Sequence, residues 1–205
     1  MKLAAATALL LLACASHVPD TRFYQLATPE SSPGRGDVVL VLDQMTTDAG
    51  YDDERIVYRT TPYRFDYYQY HRWSAPPGTL VGNYLEQALE RSGRFRAVVR
   101  EMVDGAAAVL TGRVIAIEEV DTSRSKWVGR IVVELALRDA RTGAALWTEQ
   151  FEETEPLAKQ EPEGLARALS AAMARIVHRA TPAIADHSEQ QARIHAGAPA
   201  TAKRN

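Results

Sequence analysis

The chain has 205 residues, 46% hydrophobic and 24% charged, the balance of an ordinary globular protein. That length holds one domain with tails, or two very small ones. A formal net charge of −2 leaves no electrostatic footprint for nucleic acid, and the single cysteine, Cys14, excludes an internal disulfide framework and a cysteine-rich metal site.

Lys2 opens an apolar run of alanines and leucines from Leu3 to Leu12. The run is shorter than the roughly 20 apolar residues that a membrane-crossing helix needs. It has the charged start and short apolar core of a secretory signal. It ends in Leu11-Leu12-Ala13-Cys14, which resembles the lipobox of bacterial lipoproteins, where the chain is cut before the cysteine and the cysteine carries lipid. The plainer alternative is an ordinary signal peptide with an incidental cysteine. Against it, the only cysteine sits at the one position where it would be lipidated. A signal peptide over residues 1–13 and a lipid attachment at Cys14 are therefore expected. Each buried methylene contributes about 0.8 kcal/mol, and several acyl chains on one cysteine hold a protein stably on a membrane. Ala15 follows Cys14 where an aspartate would signal retention at the inner membrane. By resemblance to enterobacterial sorting rules, this points to the outer membrane.

Residues 14–36 read as a lipidated N-terminus and linker. Arg22 to Leu26 suits a first short strand, and Ala27 to Gly36 is rich in proline, glycine and serine. The folded domain is expected over 37–183. Asp37 to Gln44 holds five consecutive apolar residues, the pattern of a central strand covered on both faces. Arg55 to Thr60 is β-branched and aromatic, Phe65 to Trp73 is aromatic-rich, and a turn around Thr61-Pro62-Tyr63 joins them as a hairpin. Pro76-Pro77 starts a helix on which Leu80, Val81, Tyr84, Leu85, Ala88 and Leu89 recur at helical spacing, with Gly93 as its stop.

Phe95 to Arg100 reads as a strand. Ala107 to Val120, Trp127 to Asp139 and Ala145 to Glu153 then alternate as an antiparallel meander, with a tight turn at Arg141-Thr142-Gly143. Glu161 to Ala180 carries a second apolar stripe through Leu165, Leu169, Ala172 and Ile176, with Pro182 just beyond its end. Residues 184–205 are polar and alanine-rich without periodicity, and read as a disordered tail. The expected architecture is α+β: a two-layer α/β sandwich, its sheet mostly antiparallel, with two helices on one face.

Chemical signatures are sparse. There is no phosphate-binding loop, dinucleotide glycine pattern, nucleophile elbow or metal-binding helix motif, so no catalytic residue, metal or cofactor is assigned. His71 reads as a partly exposed strand histidine in preference to a catalytic base. Two acid groups, Glu118, Glu119, Asp121 and Glu152, Glu153, Glu155, sit near strand ends. They read as solvated charges that discourage edge pairing, in preference to a cation site or an acid–base pair. The aromatic hairpin is the one surface that invites a functional reading. Adjacent strand residues point to opposite faces, so Tyr67 and Tyr68 cannot both face a core. Arg55, Tyr58, Tyr63, Tyr67, Tyr70 and Trp73 are the candidate partner interface, since exposed tyrosines beside arginines have an interface composition. Two half-buried faces of an ordinary edge hairpin are the alternative.

The order Arg55-Ile56-Val57-Tyr58-Arg59, then a strand ending in His71-Arg72-Trp73, a proline-containing gap, and a helix closing on LEQALERSGRFRAVV resembles the ABC-type transport auxiliary lipoproteins. This is the family of the paraquat-inducible intermembrane-transport lipoprotein. The resemblance runs from Phe23 to Val177, and the crowded Tyr63, Tyr67, Tyr68 and Tyr70 depart from the family pattern. It implies a compact α/β sandwich and a non-enzymatic accessory of an envelope-spanning lipid transport system. The implied partners are a mammalian-cell-entry-type periplasmic protein and the inner-membrane ABC transporter, with the conduit docked at the periplasmic face of the outer membrane. Assembly into a homo-oligomer is compatible with such a conduit. The alternatives are a structural or assembly lipoprotein of another envelope complex, and a periplasmic hydrolase built on His71 and the acids.

Overall fold

The computed structural model describes residues 19–27, 31–123 and 125–197. Among these, nine strands form one mixed sheet: β1 (Arg22–Tyr24), β2 (Val39–Leu42), β3 (Thr46–Thr47), β4 (Arg55–Thr61), β5 (Arg64–Trp73), β6 (Ala97–Val99), β7 (Ala106–Ser123), β8 (Lys126–Asp139) and β9 (Ala145–Pro156). Two helices accompany them, α1 (Pro77–Arg91) between β5 and β6, and α2 (Pro162–Gly197) after β9. The signal segment and Cys14 lie outside the described residues.

The 18 residues of β7 make it the spine of the sheet. One of its edges carries β8 antiparallel, from Ala108 opposite Asp139 to Ser123 opposite Lys126. The other edge is divided among three parallel strands in succession: β2 at 106–110, β3 at 113–114 and β4 at 118–120. Beyond these, β6 continues from β2, β5 and then β1 continue from β4, and β9 continues from β8. The antiparallel pairs β4–β5, β7–β8 and β8–β9 carry most of the register, as the alternation in the sequence requires. All four residues of β2 are buried, as expected for a strand with neighbours on both edges and cover on both faces.

Both helices pack on one face. Leu80, Val81, Tyr84, Leu85, Ala88 and Leu89 form the buried stripe of α1, which ends at Ser92 with Gly93 at φ +67°. Only glycine adopts that backbone freely. The expected linker is not free here. The Ser32 N–H donates to the Arg91 carbonyl at 2.8 Å, and a Cβ on Gly36 would stand 1.9 Å from the Arg94 carbonyl oxygen. Residues 31–36 are thus strapped across the end of α1, and β1 is stitched into the sheet beside β5. Any tether runs upstream of Arg22.

The second helix corrects a further expectation. It does not stop before Pro182 but runs 36 residues, about 54 Å at 1.5 Å per residue. A proline inside a helix removes an N–H and costs about 3 kcal/mol. Burial offsets that cost, because the stripe that reaches Ala180 and Thr181 continues past the proline through Ile184, Ala185 and Ser188. The far end is pinned to the turn after β8, where the Asp139 carboxylate accepts the N–H groups of Arg141 and Thr142, the Gln191 amide and His195. Burial raises the Asp139 pKa, but these donors outweigh it and hold the carboxyl below its usual range. Segment 184–197, read from sequence as tail, is therefore helix, and its Ile184, Ala185, Ser188 and Gln191 join the buried stripe; 198–205 lie outside the described residues. No described helix is both long and apolar enough to cross a membrane.

The molecule has two distinct ends. The tips of the β4–β5 and β7–β8 hairpins and the start of α2 lie at one; the β8–β9 turn and the ends of both helices lie at the other. Ile184→Ala is expected to lower the unfolding free energy by about 2–5 kcal/mol in a denaturant titration. An unchanged midpoint would mean that the helix beyond Pro182 is not part of the cooperative core.

Candidate functional site

Cross-strand register sorts the hairpin side chains onto two faces of the sheet. Tyr67 lies opposite Val57, and Phe65 opposite Arg59, on the face away from the helices. There the Arg55 guanidinium stacks 3.8 Å from the Tyr67 ring centre, and Arg59 lies 5.3 Å from the Phe65 ring. Phe65 meets Tyr67 edge-on and stacks on Tyr51. Asp53 bridges Arg55 at 3.0 Å and Arg72 at 3.8 Å, tying the loop before β4 to the same surface. Arginine over a tyrosine face is a cation–π contact that keeps both groups extended and half exposed.

The helix-side face takes the other aromatics. Tyr58 packs on Tyr68 at 5.2 Å, Tyr68 meets His71 edge-on, and His71 Nδ1 lies 2.8 Å from the Tyr24 hydroxyl on β1. Burial and the neighbouring Arg22 charge depress the His71 pKa. Its role in the fold is to join β1 to β5.

Of the six candidate interface residues, Arg55 and Tyr67 share the open face, Tyr58 turns toward the helices, and Tyr70 is half-buried. Tyr63 stands alone at the hairpin tip, 97% exposed. Trp73 is a correction: it is 1% exposed, a core residue at the end of β5, and its indole N–H has no partner among the described residues. Its size and apolar body win a place in the core over the surface role expected from its neighbours in sequence.

The acids correct a second expectation. Glu118 and Glu119 are 1% and 0% exposed, so they are not solvated edge charges. They are adjacent in β7 and therefore point to opposite faces, which prevents them from acting as a pair. Glu118 lies on the open face beneath a cover of polar groups. It accepts hydrogen bonds from the Tyr51 hydroxyl at 2.6 Å, Arg59 Nε at 3.0 Å and Arg130 Nη1 at 2.9 Å. Arg130 also donates to Glu152 at 2.7 Å. Burial, then the Glu118 hydrogen bond and charge, push the Tyr51 pKa up to about 12. The network links the loop before β4 to strands β4, β7, β8 and β9. Removing one partner of such a buried pair costs about 3–5 kcal/mol, because the other charge is left uncompensated.

Beside this network a cleft of about 620 Å³ opens between the two hairpins, lined by Arg59, Thr60, Thr61, Glu118, Asp121 and Arg130. Both arginines are already paired, with Glu118 and Glu152, so neither is left over to hold an anionic ligand.

Glu119, on the helix face, accepts the Tyr68 hydroxyl at 3.0 Å and the Gln160 amide at 2.9 Å. Gln160 also reaches Asp121. Burial is the main cause of a raised Glu119 pKa, with Asp121 adding to it and the Gln160 and Tyr68 hydrogen bonds opposing it. The sequence signal for both acids was available: they interrupt the apolar run of a long central strand. A buried carboxylate there needs partners from other elements, and pattern reading does not supply them.

A family model described as ABC-type transport auxiliary lipoprotein component matches residues 24–180. No match is found among curated proteins. Solved structures are similar in fold. Protein XCC0632 from Xanthomonas campestris, of family DUF330, is 18% identical with a TM-score of 0.73, over 84% of this chain and 99% of that one. An uncharacterized protein is 15% identical with a TM-score of 0.68, over 81% and 99%. The hypothetical protein CT253 from Chlamydia trachomatis is 7% identical with a TM-score of 0.50, over 76% and 98%. At these identities the likeness establishes the fold alone.

The raised Glu119 pKa fixes the sign of a pH effect. A folded-state pKa above the unfolded value gives stability that is fully present below the unfolded pKa and is lost as pH rises through the folded one. Glu119→Gln stays uncharged, so it is expected to gain on the parent protein as pH rises from acid to neutral. Thermal melts across that range check this. A difference that is flat or narrows with rising pH would contradict it.

Proposed function

The chain belongs to the ABC-type transport auxiliary lipoprotein family, and on that footing we propose that it is a non-enzymatic accessory of an envelope-spanning lipid transport system, held at the periplasmic face of the outer membrane by lipidated Cys14. Its task is to dock the far end of a transport conduit. The partners are a mammalian-cell-entry-type periplasmic protein and, through it, the inner-membrane ABC transporter. The observation that carries this reading is the family match over 24–180, which takes in nearly the whole folded unit.

Two structural features support it. Glu118 and Glu119 are locked in hydrogen bonds on opposite faces of β7, an arrangement suited to holding strands together. The Arg55–Tyr67 stack, with Arg72 and the exposed Phe23 in register beside it, gives the open face a rigid aromatic and cationic patch. Large side chains already held in place lose little freedom on binding, which favours them as anchors.

Mass spectrometry after separation of the two membranes tests the anchor. Acylated protein is expected in the outer membrane, and Cys14→Ser is expected to release it. Unlipidated, soluble parent protein would remove the anchor from this reading. The docking surface is tested by capturing envelope proteins with the acylated chain. Joint Arg55→Ala and Tyr67→Ala substitution is expected to weaken recovery of the mammalian-cell-entry-type protein by roughly tenfold or more while unfolding stays cooperative. Equal recovery would move the interface elsewhere.

A further inference from the structure

Tyr63 separates from the other aromatics. It is 97% exposed at the tip of the β4–β5 hairpin, and the Arg64 side chain beside it is 69% exposed. The neighbouring β7–β8 tip, at the same end of the sheet, presents Lys126 in the open. An exposed tyrosine beside a long cationic side chain, here Arg64, which also pairs with Asp66 at 3.3 Å, matches the headgroup layer of a membrane, where the ring sits among apolar carbons and its hydroxyl stays wet.

The course of the N-terminal strand says which membrane could be met. β1 runs parallel to β5, with Arg22 opposite His71. Followed backward from that pair, both chains head toward the hairpin tip. From His71 back to Arg64 the strand, bulged between Tyr67 and Arg72, covers no more than the length of β4 from Arg55 to Thr61, about 20 Å. From Arg22 back to Cys14 is eight residues, at most about 26 Å when extended. The tip of the β4–β5 hairpin therefore lies within reach of the acylated residue. The opposite end does not. Through the pairs Arg55–Arg72 and Val57–Glu118, β1 lies beside the middle of β7, and the start of β7 is about ten residues, or about 33 Å, farther off.

We propose that the β4–β5 hairpin tip, led by Tyr63, rests in the headgroup region of the membrane that holds Cys14. The sheet then stands with its hairpin tips on the lipid and its β8–β9 turn pointing away. This rests on the lipid anchor of the preceding section, and the test separates the two. In the mature acylated chain the Cys14 thiol is blocked, so an introduced cysteine is the only free one. Tyr63→Cys and, at the far end, Thr142→Cys are each labelled with an environment-sensitive fluorophore. The acylated proteins are placed in phosphatidylethanolamine–phosphatidylglycerol vesicles carrying a spin-labelled lipid. Both sites are exposed, so neither substitution threatens the fold.

The expected result is a blue shift at position 63 and at least twofold stronger quenching by the spin-labelled lipid than at 142. Equal quenching at the two sites overturns the orientation while leaving the anchor intact. Shielding at 63 without lipid quenching also overturns it, since protein would then cover the tip. Chains that carry no lipid and fail to float with the vesicles overturn the anchor, and the orientation with it.

Discussion

Because β7 is 18 residues long, it can hold β8 along one edge and still offer separate stretches of its other edge to β2, β3 and β4. The two halves of the sheet, β2–β6 and β1–β5–β4, do not pair with each other in the described residues; each is held through β7. A strand so placed is buried on both faces for much of its length, and its sequence has to satisfy helices on one side and, at Glu118, the Tyr51, Arg59 and Arg130 side chains on the other. This is why the residues that break its apolar pattern matter more than those that follow it.

Glu118 and Glu119 are those residues. Burying a carboxylate is costly unless its oxygens are occupied, and here each acid is occupied by groups from other elements. Glu118 gathers Tyr51, Arg59 and Arg130 on the open face; Glu119 gathers Tyr68 and the Gln160 loop on the helix face. The two acids therefore act as rivets at the same level of the sheet, one per face. They sit where β4 joins β7, a junction of only three residue pairs that backbone pairing alone would hold weakly. Their presence in β7 fixes where the aromatic hairpin attaches and which of its faces looks outward.

The parts of this fold that follow from local periodicity could be read from sequence, and the parts set by contact between distant segments could not. The stripe of α1, its Gly93 stop and the β7–β9 meander are repeats of one physical period, and they stand where the sequence puts them. The continuation of α2 past Pro182 depends on Ile184 and Ala185 meeting the sheet and on Gln191 and His195 finding Asp139, more than 50 residues earlier. None of that is local, and polar residues such as Ser188 and Gln191 disguise the buried stripe. The same holds for the strap at 31–36, whose glycines look like linker until Arg94 is found against Gly36. In the hairpin, alternation showed that Tyr67 and Tyr68 must part. Which of the two would face solvent depended on the register with β7.

The position of β1 turns this fold into a directional object. A lipoprotein tethered by a long free linker could present any surface to its membrane. Here the strap and β1 take up much of the sequence that looked like linker, leaving seven residues, 15–21, between Cys14 and the sheet. If Cys14 carries the proposed anchor, a leash of about 26 Å on a body whose central strand spans about 60 Å would restrict how the body can stand. With the anchor and orientation proposed above, the far end would project away from the membrane, and it is there that Met102, Val103 and Ile194 expose apolar side chains. On the proposed orientation the open face of the hairpin stands upright between the two ends. A partner arriving from the inner membrane would pass the apolar far end before reaching the Arg55–Tyr67 patch. On the proposed reading, a conduit that ends at the outer membrane needs a receiver whose height and facing are fixed, and a short lipid tether on a rigid sheet would supply both.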